Sequence, residues 1–189
     1  MFKKIFCMPR KLFLLNFMLI VVSVIFSYYH GFSWIGDSLS SLGTFSDFFN
    51  FSLIISGISL GIFTISVVEK DRIGFLTRTF LLISSISLVF IGVFTEEHLI
   101  HLVFAIILFA VFPFGLLFLG VSLKGDNKKL GLFTKIVSIF LIVLWAIFIV
   151  IWRFIYPLGL AIPEMISLCI WIIWSIVFIK YFKVNTNEN

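Results

Sequence analysis

The chain has 189 residues, of which 61% are hydrophobic and only 12% charged, with 26 Phe against 5 Trp and 4 Tyr. So little charge cannot cover a water-exposed globule, whereas a bilayer accepts each run of about 20 apolar residues as a helix, leaving length for roughly six crossings. The net charge of +5 would suit nucleic acid if it lay along one face, but Lys and Arg cluster at the ends of apolar runs, so no nucleic-acid partner is expected.

Residues 1–11 form a basic N-terminus carrying Lys3, Lys4, Arg10 and Lys11, and the first apolar run covers about 12–29. That run closes on Phe26, Tyr28 and Tyr29, where a cleavable signal peptide needs small residues, so it is read as a span. The stretch from His30 to Asn50 follows, a long polar interruption without Lys or Arg. It reads as an ordered loop on the outer face, with Asp37, Ser38, Ser40 and Gly43 as its informative residues.

The second run, about 48–68, holds Gly57 and Gly61 in a G-x-x-x-G spacing beside Ser52, Ser56 and Ser59, a face that lets another helix approach closely. Glu69 to Arg78 reads as a charged connection. The third run, about 79–94, carries Ser84, Ser85 and Ser87, which can bond back along the helix or across to a neighbour. Thr95 to His101 is a polar turn, and the fourth run, about 99–123, contains Pro113, predicted to kink its helix near Phe109. Lys124 to Lys135 is basic, the fifth run covers about 136–152, Arg153 to Glu164 makes a last outer connection, and the sixth run covers about 162–182. The tail 183–189 is polar. The predicted fold is therefore all-α, a polytopic bundle of six transmembrane helices over 12–182.

Orientation follows from charge. Four Lys or Arg precede the first run, three lie between the second and third, four between the fourth and fifth, and two at the end of the sixth or just beyond it; Arg153 is the one on the other side. That bias places both termini in the cytoplasm of a multi-pass cell-membrane protein. Asp37, Asp47, Glu96, Glu97 and Glu164 fall outside, with all three His residues. Cys7 and Cys169 are too far apart in this arrangement to form a disulfide.

Three helix N-termini then point outward, and the acids suit them: Thr44 and Asp47 have capping-box spacing, Thr95 precedes Glu96 and Glu97, and Pro163 with Glu164 suits the start of the sixth helix. Asp37, His101 and Arg153 are less simply explained. His101 lies about a turn into its span, where a polar ring needs a partner, and Arg153 is a candidate partner for Asp37, Glu96 or Glu164. His98 and His101, with Glu96 or Glu97, Asp37 and His30, are weak candidates for a metal, since E-E-H-L-I-H lacks the zincin spacing. No hydrolase elbow or phosphate-cradling loop is present in the sequence, and no cofactor is expected.

The strings SLSSLGTFSDFFNFSLIISGI at 38–58, IGVFTEEHLIH at 91–101 and GLAIPE at 159–164 resemble the prokaryotic membrane family catalogued as domain of unknown function 998. The likeness falls on Ser40, Gly43, Asn50, Gly57, Gly92, Glu96, His101, Pro163 and Glu164, with Thr95 standing where the family usually has Pro. More distantly, the S-x-x-G-T followed by a Phe-rich helix is similar to the damage-regulated autophagy modulator family of six-span proteins. What the resemblance implies is a six-span helical protein of unestablished activity.

Taken together, the expected site is an outer polar pocket of Asp37, Ser40, Asn50, Glu96, His101, Arg153 and Glu164, binding a small ligand, a lipid headgroup or a partner. A membrane-embedded lipid hydrolase, metal-dependent or not, with His101 as base or ligand is the second reading. A transporter is the third, weakened by the lack of charged residues deep in the runs.

Overall fold

A computed structural model describes residues 25, 32–67, 72–123, 127–154 and 159–185, and these are all-helical. A 3-10 turn, Leu39–Ser41, leads into a short helix, α1 (Leu42–Phe45). Five long helices follow: α2 (Asp47–Val67), α3 (Arg72–Val93), α4 (Leu99–Ser122), α5 (Lys128–Phe154) and α6 (Ala161–Asn185). Each of the five is long and apolar enough to cross a membrane. The first expected span, 12–29, falls outside the described residues except for Ile25, as do the basic N-terminus and residues 186–189.

The outward surfaces of these helices are apolar. Ile65, Phe75, Ile106 and Ile149 are each more than 60% exposed, which is a surface for lipid tails rather than water. α3 and α5 begin at Arg72 and Lys128, well before the apolar runs near 79 and 136. The charged connections are therefore shorter than their composition suggests. A helix satisfies its own backbone bonds wherever it lies, and Lys or Arg in its first turns can reach water along flexible stems.

Neighbouring helices pack antiparallel with close backbones. A Cβ on Gly57 would meet the Ser85 carbonyl oxygen at 2.6 Å and the Val89 nitrogen at 2.9 Å, so the G-x-x-x-G face is an internal seat for α3. Gly92, further toward the other end of α3, lies against the Asn50 carbonyl, which fixes the opposed chain directions. Ser85 Oγ donates to the Gly57 carbonyl at 2.7 Å, while Ser84 and Ser87 bond back to Phe80 and Ile83 in their own helix. Both fates anticipated for these serines occur.

The pairing continues in sequence. Phe80 and Phe90 of α3 pack on Phe114 and Phe104 of α4, and Ser138 of α5 donates to the Pro113 carbonyl of α4 at 2.7 Å. α6 is held differently, through large side chains. Trp145 and Trp174 reach across from α5 and α6 to Ser167 and Thr134, each at 3.1 Å, and Phe63 of α2 meets Trp174 and Phe178 edge-on. Tryptophan keeps backbones further apart than glycine does, so space is left between α6 and the rest of the bundle.

This antiparallel order gathers one end of every long helix on the side of residues 32–46. That loop is ordered because it has its own small core: Leu39, Leu42 and Phe49 are buried against Leu53, Met165 and Leu168. Its backbone also pairs with the segment before α6, Gly159 N donating to the Ile35 carbonyl at 2.6 Å and Ala161 N to that of Asp37 at 3.0 Å. The loop is a cap on the bundle.

Two expected helix caps are not formed. Thr44 lies inside α1, where its hydroxyl bonds back to the Ser41 carbonyl at 2.7 Å instead of reaching Asp47. α4 starts from His98, which makes no side-chain cap bond, and Thr95 belongs to the preceding turn, its carbonyl accepting from His98 N at 3.0 Å. Spacing shows which residue types can cap, but the cap is set by which residue takes extended backbone angles. Glu164 does occupy the first turn of α6, as anticipated.

Candidate functional site: a capped apolar cavity

Beneath the cap, in the space that α6 leaves, is a cavity of about 110 Å³. Its walls are apolar. Phe109, Phe112, Trp145 and Trp171 supply aromatic faces from α4, α5 and α6, and Leu53 and Leu88 close it from α2 and α3. Pro113 also lines it, in an α4 that runs on unbroken from Leu99 to Ser122. Proline has no amide hydrogen, so the Phe109 carbonyl lacks its helical donor at this depth.

Polar side chains lie at the loop end of the cavity, with Ser167 a turn further along α6. Ser40 comes from the 3-10 turn, His101 from the first turn of α4, and Glu164 from the first turn of α6. Most of their bonds are accounted for. Ser40 Oγ pairs with Ser38 Oγ at 2.9 Å, and Ser167 Oγ donates to the Pro163 carbonyl at 2.8 Å while accepting from Trp145. Glu164, 7% exposed, accepts from the Leu39 backbone amide at 2.5 Å, and the Ser40 amide faces it too. The carboxyl oxygens thus take the free donors at the start of the 3-10 turn and tie the cap to α6.

His101 is the exception. It is 4% exposed, and its Nδ1 lies 2.7 Å from the Phe94 carbonyl oxygen. A carbonyl only accepts, so Nδ1 carries the proton and donates. In the neutral ring Nε2 is then a bare acceptor, and it has no hydrogen-bond partner. A buried polar atom without a partner is costly, and such atoms are few in folded proteins.

The other residues expected at an outer site serve the cap. Asp37 Oδ2 accepts from the Ser33 amide at 2.7 Å, closing a turn. Asn50 Nδ2 donates to the Gly43 carbonyl at 2.8 Å, and a Cβ on Gly43 would collide with the Asn50 side chain, so the pair clasps α1 to α2. Glu96 is exposed and accepts from Ser38 Oγ at 2.6 Å. The carboxylates that Arg153 was expected to neutralise therefore have donors from the cap; the Arg153 side chain lies outside the described residues.

Of the seven expected site residues, Ser40, His101 and Glu164 line the cavity together. Asp37, Asn50 and Glu96 stand around the cap without lining it. His98 is exposed, its ring edge-on to Phe94, and among the described residues no three His, Cys, Asp or Glu side chains gather to hold a metal. The aromatic walls were missed from the sequence. A signal was available: Trp145, Trp171 and Trp174 sit in the middle of apolar runs rather than at the membrane interface where Trp concentrates, and a buried indole N–H needs an internal partner.

Neither a curated protein nor a solved structure matches the chain. A family model described as a protein of unknown function, DUF998, matches residues 14–179, and covers Ser40, His101, Glu164 and every helix that forms the cavity. The chain belongs to the DUF998 family.

Proposed function

We propose that this membrane protein is a binder whose cavity receives the apolar part of a lipid or other small amphiphile, with the polar end held under the cap. The observation that carries the reading is the unpartnered Nε2 of buried His101 at the polar end of an otherwise apolar space. A ligand group there would satisfy the nitrogen and fill the void, two gains that favour an occupied state. We also propose that both termini face the cytoplasm, so the cavity lies toward the outer leaflet. The antiparallel helices support this, because Arg72, Lys128 and Lys180 lie at the end away from Glu96 and Glu164.

The hydrolase reading has less support, since among the described residues His101 stands without a metal-ligating neighbourhood, and Glu96 is engaged with Ser38 at the exposed cap. Transport has less again, because Glu164 and His101, the ionisable groups among the described lining residues, occupy one end of the cavity only.

Native mass spectrometry of protein purified in mild detergent tests the binding reading. A retained amphiphile at one per chain is expected, lost in Ala105→Phe, which fills the cavity from α4. No retained molecule, and no change in thermal unfolding with any added lipid class, would overturn it.

A further inference from the structure

The chemistry of the cavity goes further than its shape, and the inference drawn from it rests on the binding reading above. Among the described residues, no Lys or Arg lines the cavity. Of the polar lining groups, both Ser hydroxyls are already engaged, the Trp145 N–H is given to Ser167, and Glu164 is an acceptor tied to the cap amides. The unsatisfied atom, His101 Nε2, is an acceptor as well, its tautomer set by the Phe94 carbonyl. The site therefore calls for a donor. A phosphate or a carboxylate would bring acceptors, with no cation among the described lining residues to meet them.

Two donor classes remain, hydroxyl and ammonium. An ammonium would enter a space whose walls are almost entirely Leu, Phe and Trp, and one bond to the imidazole, beside a Glu164 carboxyl already turned to the Leu39 and Ser40 amides, does not offset the loss of its hydration. A hydroxyl carries no charge and needs one acceptor. We propose that the cavity is a site for uncharged alcohol-type amphiphiles, whose hydroxyl donates to His101 Nε2 and whose apolar portion lies along Phe109, Phe112 and Trp171. The lining on α4 runs from His101 to Pro113, roughly 18 Å of helix rise, and the volume is of the order of apolar cavities that accept a benzene-sized molecule.

The experiment uses the full chain in nanodiscs with histidine labelled by nitrogen-15, and four probes of equal chain length: 1-hexanol, hexane, hexanoate and hexylamine. The Nε2 resonance of His101 is assigned by its loss in His101→Asn, a side chain that can still donate to the Phe94 carbonyl but offers nothing in place of Nε2. Saturable binding of 1-hexanol is expected, with the Nε2 resonance moving upfield as it accepts a hydrogen bond. A three- to tenfold preference over hexane is expected too, the worth of about one hydrogen bond. His101→Asn should lose that preference and still bind both. Equal binding of 1-hexanol and hexane without a shift would leave the cavity a binding site and overturn its alcohol chemistry, as would tighter binding of hexanoate or hexylamine. No binding of any probe would overturn the binding reading itself. Should that variant fail to fold, the resonance is assigned by elimination, as the one kept in both His30→Gln and His98→Gln, and its shift in the wild type decides.

Discussion

Two carboxylates at the cap show how burial separates residues that look alike in sequence. Glu164 is buried and accepts from the Leu39 amide, whereas Glu96 is exposed and accepts from a serine hydroxyl that water can replace. Glu164→Ala leaves a buried amide unpaired and is expected to cost about 1–3 kcal/mol. Glu164→Gln keeps an acceptor oxygen and should cost distinctly less, and Glu96→Gln should unfold close to wild type. Thermal unfolding in one detergent compares the three; equal losses for Gln and Ala at 164 would mean that the hydrogen bond is not what holds the cap. The Gly43 and Asn50 clasp gives a second case. Gly43→Ala should destabilise because its Cβ meets the Asn50 side chain, and Asn50→Ala should relieve part of that loss, so the double variant is expected to be non-additive.

At the scale of elements, helix spacing decides where the cavity lies. Small residues bring α2 and α3 together, and Gly57→Val is expected to overpack that seam at a cost of about 1–3 kcal/mol. Ser85→Ala removes only the bond to the Gly57 carbonyl and should cost about 0.6 kcal/mol, the usual worth of an interhelical bond in a membrane. The ordering of the two, read from resistance to unfolding in detergent, checks that close approach matters more than the hydrogen bond. α6 has no glycine within Ala161–Asn185 and packs through Trp171, Trp174 and Phe178. Chain path likewise explains why some caps were misplaced: Thr44 and Thr95 have the right chemistry, but the short helix α1 and the turn ending at His98 leave them three and four residues before the first residues of α2 and α4.

For the whole molecule, the consequence is a segregation of charge that a sidedness experiment reads directly. In a background with Cys7 and Cys169 replaced by Ser, Ile35→Cys in the exposed part of the cap and Lys180→Cys near the end of α6 are compared with an impermeant maleimide on intact cells. Labelling of position 35 without permeabilisation, and of position 180 only after it, is expected from the distribution of Lys and Arg. The reverse pattern would place the cap and its cavity on the cytoplasmic side.

Composition and periodic spacing alone determined that the chain is helical, that its long runs suit a bilayer, and that Gly57 and Gly61 form a packing face, because these depend on local chemistry and on the repeat of the helix. The strings that resemble the family contain Ser40, His101 and Glu164, which line the cavity, together with Asn50 and Glu96, which do not. Which acids are buried, which nitrogen of His101 lacks a partner, and that tryptophans hold α6 away from its neighbours were decided only in three dimensions. Those properties belong to distances between helices, and residues such as Glu96 and Glu164 carry the same side chain until packing gives one of them water and the other an amide.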